Sequence, residues 1–572
     1  MGRGTPSQSY RIDYGKMTVK DRVAKLLSEA LEQAERTGVL PAGAAQDPAL
    51  ERPQNAEHGD FASSLPLKLA RLARRSPLAI AEALVPLVPG DEAVDRVWAA
   101  PPGFVNFSLS GPWLAAQVDR IRNAGATYGD SNLGSGTSVQ VEFVSGNPTG
   151  PLQVGNARGA VLGSTLANIL EAAGHEVQRE YYVNDAGTQI EHFNRSLYVR
   201  YLQACGREVE FPESGYPGAY LVDLAQEIRS EHGDRFLEVS EEEGISDLGE
   251  LGLTKMLDTI RADVALLRVR YDAWFSERSL YRDGLHDKTM ELLSANGHLT
   301  KRDGATWLAS KALGDDRDNV LVRRTGAPTY FASDIAYHYN KLVERGFDRV
   351  IDIWGSDHQG HVPRMKAATA ALGVDPNRLT MLIYQVVTLR RGDEVVKLSK
   401  RSGDIVTMRE LVEEVGPDAC RFFFLSRSAE SQMEFDLELA KEQSVENPVY
   451  YVQYAHARIA GIVRLASERG IDFAGGDLSL LTHEAELALI RKMLVLPELI
   501  ETMASTLEPH HLPHYAQELA TAFHWFYQQC RVVSGVKGEE EITRARLKLV
   551  DAARTTLARC LDLMGMDAPD RM

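Results

Sequence analysis

A turn rich in glycine and proline, at residues 146–155, has the residue types that could bind a phosphate. It follows a strand-like run at residues 139–144 and precedes an apolar helical stretch at residues 157–173. The first amides of a helix have no partner inside the helix and carry partial positive charge, so an anion can bind there. Gly155 would let a nucleotide approach the backbone closely. Taken alone, the turn is equally consistent with a tight connection in any α/β protein.

A short basic segment far downstream could supply positive charge to the same phosphates. Residues 397–401 read Lys-Leu-Ser-Lys-Arg and follow a strand-like stretch. A solvated surface loop is the usual fate of such a cluster, and by itself the segment would be assigned to that class. The ammonium groups of Lys397 and Lys400 and the hydroxyl of Ser399 nevertheless suit the oxygens of a nucleoside triphosphate.

Two further groups of polar residues could line a ligand pocket. Tyr330 and Asp334 stand four apart in a helical stretch and would share one helix face, although a core tyrosine and a surface acid are the alternatives. Residues 355–361 follow a strand-like run at residues 349–354. The carboxyl ends of strands in open α/β sheets are where ligands bind. The two histidines of this segment have the spacing of a metal pair, but nothing completes such a site, and we predict no protein-bound metal.

The elements that must hold these residues fall into three blocks. Residues 17–125 combine helical patterns, one of them at residues 65–84, with an alternating strand at residues 104–109, which is typical of a small α+β domain. Residues 135–440 alternate strands and helices, and their β-turn-α-β start predicts a parallel Rossmann-type sheet. A mostly helical insertion is expected at about residues 194–313.

The remaining segments lie at the two ends of the chain. Residues 441–572 are helical throughout, and the apolar spacing of their last helix, with Thr543 as a candidate N-cap, predicts a bundle of four or five helices. Residues 1–16 are polar and lack the apolar stretch of a signal peptide, so we expect a flexible tail. The predicted fold class is α/β: a Rossmann-type parallel-sheet catalytic domain with a helical insertion, an N-terminal α+β domain and a C-terminal all-α bundle.

The bulk composition excludes several classes of protein. The chain has 572 residues and a net charge of −17, from 63 Lys and Arg against 80 Asp and Glu. This acidity argues weakly against nonspecific nucleic-acid binding, although the location of basic clusters decides that question. The four cysteines are dispersed, so neither a disulfide framework nor a zinc site is indicated. No apolar run is long enough to cross a bilayer, and we expect a cytoplasmic protein without a membrane partner.

The turn and the basic segment together resemble the signatures of a known family. Residues 147–156 resemble the HIGH signature of class I aminoacyl-tRNA synthetases in its arginyl form, Asn-Pro-Thr-Gly-Pro-Leu-His-Val-Gly-His, with Gln153 and Asn156 in place of the two histidines. Residues 397–401 resemble the KMSKR signature of that class. Residues 181–190 are similar to a further arginyl segment, Tyr-Tyr-Ile-Asn-Asp-Ala-Gly-Asn-Gln-Ile. The resemblance covers nearly the whole chain.

The resemblance to arginyl-tRNA synthetases implies roles for individual residues. The family's signature histidines stabilise the phosphates of ATP, and a glutamine or asparagine amide can donate a neutral hydrogen bond in the same way. In the family, the matching acid and tyrosine on the helix hold the guanidinium, and an asparagine in the turn holds the amino group. The implied residues are, for catalysis, Gln153, Asn156, Lys397 and Lys400; for ATP, Pro151, Gly155, Gly355, Asp357, Ser399 and Lys400; and for arginine, Glu142, Ser145, Asn147, Tyr330, Asp334, His358 and Gln359.

The function implied by the resemblance is ligation of L-arginine to tRNA(Arg), with ATP and its accompanying Mg²⁺. The reaction would give arginyl-adenylate and pyrophosphate and then transfer arginine to the terminal ribose, with tRNA bound beforehand. By the same resemblance the N-terminal domain would touch the tRNA elbow and the bundle would read the anticodon. We expect the protein to be a monomer. The main alternative is a catalytically weakened or silent paralogue that binds tRNA or arginine, because Gln153 and Asn156 replace both histidines. A class I enzyme for another amino acid is the third interpretation.

Overall fold

The N-terminal part of the chain packs helices against an antiparallel sheet. The computed structural model describes residues 17–43, 47–396 and 406–572, so the predicted tail at residues 1–16 lies outside the described residues. In chain order the elements are α1 Val19–Arg36, β1 Leu50–Glu51, β2 Phe61–Ser63, α2 Leu65–Ala73, α3 Pro77–Leu84, β3 Val94–Ala100, β4 Phe104–Leu109 and α4 Gly111–Ala124. The strand order is β1-β2-β4-β3. The apolar face of α1 is buried because its apolar side chains recur three and four apart.

The helical stretch predicted at residues 65–84 is two helices rather than one. Arg74, at the end of α2, has a φ of +50°, in the left-handed region that interrupts a right-handed helix. Pro77 then starts α3, because proline has no backbone N–H to donate and fits the first position of a helix. The hydroxyl of Ser76 caps α3 by accepting a hydrogen bond from the amide of Ala79 at 3.3 Å.

A parallel sheet forms the centre of the molecule. Its part of the chain contains β5 Ser138–Phe143, α5 Val154–Ala172, β6 Glu176–Val183, α6 Thr188–Ala204, α7 Ala219–His232, α8 Glu241–Leu266, β7 Ala273–Ser276, α9 Glu277–Arg282, α10 Leu285–Ala295, β8 Leu299–Arg302, β9 Ala305–Leu308, β10 Asn319–Val322, α11 Tyr330–Tyr339, β11 Arg349–Gly355, α12 Val362–Ala371, β12 Leu379–Tyr384, β13 Val387–Arg391, β14 Glu394–Val395, α13 Met408–Val415, α14 Pro417–Leu425, β15 Met433–Asp436 and α15 Leu437–Lys441. The strand order is β12-β11-β5-β6-β7, with every pair parallel. This confirms the predicted Rossmann-type sheet.

The strand order reverses at β5, which has β6 on one side and β11 on the other. Ligands of such sheets bind where the order reverses, outside the carboxyl ends of the strands. The ends of β5 and β11 are therefore the expected floor of a binding cleft.

The stretch predicted as a helical insertion is more varied than its sequence indicates. Helices α6, α7 and α8 pack around an apolar core of their own. The range 194–313 also includes β7, which pairs in parallel with β6 and so belongs to the central sheet. Strands β8 and β9 form an antiparallel sheet with β10. Strands β12 and β13 follow each other in the chain but belong to different sheets, because β13 pairs with β14 and β15 instead of continuing β12.

The C-terminal part is a helical bundle, as predicted. Its helices are α16 Pro448–Glu468, α17 Glu484–Met493, α18 Leu496–Thr506, α19 His511–Gln529 and α20 Glu540–Leu563. The predicted N-cap at Thr543 is wrong, because α20 begins three residues earlier, where Glu540 and Glu541 favour a helix N-terminus. The Thr543 hydroxyl instead accepts a hydrogen bond from the amide of Ser534 at 3.2 Å.

A buried arginine joins this bundle to the central sheet. Arg421, on α14, donates to the carbonyl oxygens of Met564 and Leu267 and to the hydroxyl of Ser164. Its acceptors thus come from the end of the bundle, from the segment after α8 and from α5. Burial lowers the pKa of this guanidinium to about 10, which leaves it charged at neutral pH. In the part of the chain that the structure describes, no helix has both the length and the apolar character needed to cross a bilayer.

Candidate active site

The end of β5 enters a strained turn that side chains hold in place. Val144 and Ser145 have φ values of +70° and +42°, a region that residues other than glycine rarely adopt. The Ser145 hydroxyl donates to Oε1 of Glu142 at 2.8 Å and accepts from the amide of Tyr182 at 3.1 Å. These hydrogen bonds tie the turn to a buried glutamate and to β6. Burial raises the pKa of Glu142, and the neighbouring Lys341 opposes that rise.

The asparagine of the turn is oriented by a neighbour. The side-chain nitrogen of Asn147 donates to the amide oxygen of Gln189 at 2.7 Å. Its own amide oxygen has no partner among the described residues, and it is able to accept a hydrogen bond from a substrate. Pro151, at the end of the turn, is half-buried.

The two residues that replace the signature histidines begin α5. The side-chain oxygen of Asn156 accepts a hydrogen bond from the backbone amide of Gln153 at 2.9 Å, so it caps the helix. The nitrogen of the same side chain has no partner within the described ranges and remains able to donate. The Gln153 side chain is exposed. A Cβ atom built on Gly155 would have no heavy atom within 4 Å, so space for a ligand adjoins the helix N-terminus.

The predicted basic segment lies outside the described residues, which include neither Lys397, Ser399 nor Lys400. The chain on both of its sides is described. Before the segment, the amide of Val396 bonds to β13. After it, Thr407 pairs with Gln153 in an antiparallel bridge. The chain that follows the basic segment therefore contacts the turn at residues 146–155.

A second buried arginine connects these pieces. Arg158, on the first turns of α5, donates to the carbonyl oxygens of Gln385 at 2.7 Å, Ser428 at 2.8 Å and Ser431 at 3.0 Å. Gln385 lies in the link between β12 and β13, and Ser431 precedes β15. The helix that begins at the turn is thereby fixed to the small sheet that leads into the basic segment.

Tyr330 and Asp334 lie on α11, near the carboxyl ends of the central strands. Tyr330 is 45% exposed, so it is not a core aromatic. Burial raises the pKa of Asp334 to about 6, and the negative charge of Glu142 adds to that rise, while His338 and His358 oppose it. Asp334 is half-buried, so it is not a fully solvated acid on the outer surface of the helix.

One acid of this pocket was missed from the sequence. Glu277, the first residue after β7, is 3% exposed, and its Oε2 has no hydrogen-bond partner among the described residues. Burial raises the pKa of Glu277 to about 7, with nearby Asp334 and Asp185 adding negative charge. A glutamate directly at the carboxyl end of a sheet strand is a usable signal. It was hidden because β7 is four residues long and lies inside the range assigned to the insertion.

The segment after β11 forms another side of the cleft. Its first turn carries Asp357, His358 and Gln359, all exposed. The ring of His358 is 3.2 Å from the carboxylate of Asp357. A Cβ atom on Gly355 would lie 2.7 Å from Oδ1 of Asp357, a contact that the exposed Asp357 side chain could relieve by moving. Burial lowers the pKa of His361.

Three family models match the chain. Residues 21–109 match "Arginyl tRNA synthetase N terminal domain". Residues 117–424 match "tRNA synthetases class I (R), catalytic domain". Residues 452–572 match "DALR anticodon binding domain".

Similar proteins agree over nearly the full length. An arginine–tRNA ligase of Dehalococcoides mccartyi is 55% identical over 97% of this chain and 99% of its own length. One of Carboxydothermus hydrogenoformans is 50% identical over 91% of this chain and 94% of its own. The solved arginyl-tRNA synthetase of Thermus thermophilus, at 24% identity, has the same fold, with a TM-score of 0.75 over 97% of this chain and all of that one.

The parallel sheet and the cleft at its reversal point are those of a class I aminoacyl-tRNA synthetase. The three matching models and the identity to the two ligases go further: the chain belongs to the arginyl-tRNA synthetase family. The resemblance inferred from the two signature segments is thereby confirmed.

Proposed function

We propose that the chain ligates arginine to tRNA with ATP in the cleft at the ends of β5 and β11, and that the residues above carry out this reaction. The observation that carries the proposal is the bridge between Gln153, in the glycine-rich turn, and Thr407, in the chain that follows the basic segment. The matching ligases support the overall reaction. None of the comparisons favours a silent paralogue.

The guanidinium end of arginine would bind between Asp334 and Glu277. Burial raises the pKa of half-buried Asp334 and of buried Glu277, so a further positive charge beside them would favour their ionised forms. A substrate cation would supply that charge and would stabilise both carboxylates. A planar guanidinium suits two acids better than a compact ammonium, since its donors are arranged as a fork. Tyr330, at the rim, would close the pocket over the hydrocarbon chain.

The amino end would bind at the turn after β5. The free amide oxygen of Asn147 would accept from the α-ammonium, while Glu142 and Ser145 hold the turn in its conformation. His358 and Gln359, exposed on the next strand end, would face the carboxylate and the adenylate formed from it.

ATP would lie across the start of α5. Its phosphates would accept hydrogen bonds from the side-chain amides of Gln153 and Asn156 and from the hydroxyl of Ser399. Lys397 and Lys400 would supply positive charge. ATP would also contact Pro151, Gly155, Gly355 and Asp357. Mg²⁺ would arrive with ATP as part of the substrate.

The reaction would have two steps. A carboxylate oxygen of arginine attacks the α-phosphorus, the bond to the β-phosphate oxygen breaks, and pyrophosphate leaves. The 2′-hydroxyl of the terminal ribose then attacks the acyl carbon, AMP leaves with the former bridging oxygen, and the hydroxyl proton passes to that phosphate or to water. Positioning and charge stabilisation supply most of the catalysis in such a scheme.

The partner would be tRNA(Arg). The match to an anticodon-binding domain supports contacts of the bundle with the anticodon. The N-terminal domain would contact the tRNA elbow. We expect a monomer that acts in the cytoplasm.

Aminoacylation with radiolabelled arginine tests the proposal. Arginyl-tRNA should form, faster after preincubation with tRNA, and neither lysine nor glutamate should replace arginine. Binding of arginine without charging of tRNA would favour the silent paralogue. Charging of tRNA with another amino acid would show a class I enzyme for that amino acid.

A further inference from the structure

A completely buried lysine lies beneath the proposed arginine pocket, in the π-helical turn Asn340–Glu344 that follows α11. The Lys341 ammonium is 2.8 Å from Oδ1 of Asp352 and 2.5 Å from Oε2 of Glu142. It also lies 4.1 Å from the ring centroid of Tyr337. A lysine is almost never fully buried unless it is paired. None of the steps proposed above uses this side chain, so its burial calls for a separate explanation.

The lysine neutralises part of a row of buried acids. Asp352, Glu142 and Glu180 are in register on the adjacent strands β11, β5 and β6, and all three are buried. Like charges at neighbouring positions of a sheet repel one another. Burial acts to raise the pKa of Asp352, but Lys341 and His338 outweigh it and hold that pKa below its ordinary value. The row is therefore stable only while cations occupy its face.

Apart from Ser145, the described side-chain partners of this row lie on α11, in the turn after it or, for Arg345, directly after that turn. Glu180 accepts a hydrogen bond from the Tyr337 hydroxyl at 2.6 Å and pairs with Arg345. The second oxygen of Asp352 is 2.7 Å from Nε2 of His338. Together with the lysine, these contacts fix α11 across the sheet at a defined height and register.

The network reaches both ends of the proposed pocket. At one end, Nδ1 of His338 is 2.7 Å from the carbonyl oxygen of Asp334, whose carboxylate would hold the guanidinium. At the other end, the second oxygen of Glu142 accepts from Ser145, which starts the turn that carries Asn147. The buried ammonium is the link between these halves, because it alone in the described network contacts an acid on each of the strands β5 and β11.

We propose that Lys341 is a positioning residue that sets the distance between the guanidinium end and the amino end of the arginine pocket, and so selects the substrate by its length. The inference rests on the proposed function, in which Asp334 and Asn147 mark those two ends. Displacements of about 1 Å at a reacting substrate can change rates on the order of 100-fold. One additional methylene group lengthens a substrate by about that distance.

The test compares Lys341→Met with the double variant Lys341→Met/Asp352→Asn in tRNA aminoacylation at saturating ATP and tRNA. The single variant leaves two buried carboxylates without their cation, whereas the double variant keeps the net charge of these three side chains at one negative unit, as in the wild type. For both variants the KM for arginine should rise about tenfold or more, while the KM for ATP stays within about twofold. The preference for arginine over homoarginine, which is one methylene longer, should fall about tenfold or more.

The control is Lys548→Met, which removes another buried lysine. Its ammonium pairs with Asp119 at 2.9 Å, between α20 and α4. This variant should keep the wild-type KM and preference. The proposal would be overturned if the double variant kept both the wild-type KM for arginine and the wild-type preference over homoarginine. It would also be overturned if the KM values for arginine and ATP rose equally, since that indicates general damage to the site.

Other results remain distinguishable from these. If the single variant does not fold, the charge-balanced double variant decides alone. Failure of the proposed function would look different, because the wild-type protein would then not charge tRNA with arginine, or Asp334→Asn would leave the KM for arginine unchanged.

Discussion

Replacing Asp334 by asparagine is expected to lower kcat/KM for arginine about 1000-fold, with the KM for ATP within about twofold of the wild-type value. The change keeps the shape of the side chain and removes its negative charge. Removing one partner of a buried charge pair costs about 3–5 kcal/mol, because the other charge is left uncompensated. A factor of 1000 corresponds to about 4 kcal/mol. Steady-state aminoacylation over a range of arginine concentrations measures the effect.

The matched control is Asp287→Asn, on the first turn of α10, where the carboxylate is exposed to solvent. It should leave both KM values unchanged, because exposed ion pairs contribute little. An unchanged KM for arginine in Asp334→Asn would show that the guanidinium binds elsewhere.

The pocket acids Asp334 and Glu277 imply a pH dependence of arginine binding, which Asp334→Asn should alter. Burial holds the pKa of Asp334 at about 6 and that of Glu277 at about 7 in the empty pocket. Arginine binds as a cation to the deprotonated forms, so protonation competes with binding. The KM for arginine should be constant above about pH 8 and rise as the pH falls, approaching a factor of ten per pH unit for each protonated group. In Asp334→Asn the component near pH 6 should be absent.

Local pattern encodes part of this site, and that part could be predicted from the sequence. The strand, the glycine turn and the helix that begins near Gln153 follow from periodicity and from the positions of glycine and proline. The common helix of Tyr330 and Asp334 follows from their spacing of four. Their proximity to Glu142 could be expected only through the family resemblance, because it depends on the order of strands in the sheet.

The residues that the sequence did not indicate have distant partners. Lys341 and Glu142 are 199 positions apart, and their contact exists only because β5 and β11 are adjacent. In isolation the lysine resembles an ordinary exposed helix residue, as most lysines are. Glu277 was missed for a related reason, since the strand before it is too short to show an alternating pattern. The buried charges therefore depend on long-range strand pairing, whereas the turn and the helices could be predicted from local sequence patterns.

Changing Asn156 to aspartate is expected to lower kcat/KM for ATP about 100-fold without loss of stability. An aspartate oxygen can still accept the hydrogen bond from the amide of Gln153, and a negative charge favours a helix N-terminus by about 0.3–1 kcal/mol. The same charge would lie about 5 Å from a bound phosphate, where repulsion is about 3 kcal/mol at an effective dielectric constant near 20. Pyrophosphate exchange in the presence of tRNA, at varied ATP, and thermal unfolding measure the two effects.

Asn156→Ala separates the two roles of this side chain. It removes the cap as well as the donor, so the free energy of unfolding should fall by about 1 kcal/mol, with a smaller loss of activity than in the aspartate variant. If Asn156→Asp retained wild-type activity, no phosphate would bind near the start of α5. If both variants lost activity only in proportion to stability, the residue would be a cap and nothing more. Activity lost in Asn156→Asp at unchanged stability, beside a milder loss in Asn156→Ala, is the pattern that only a phosphate at this helix terminus produces.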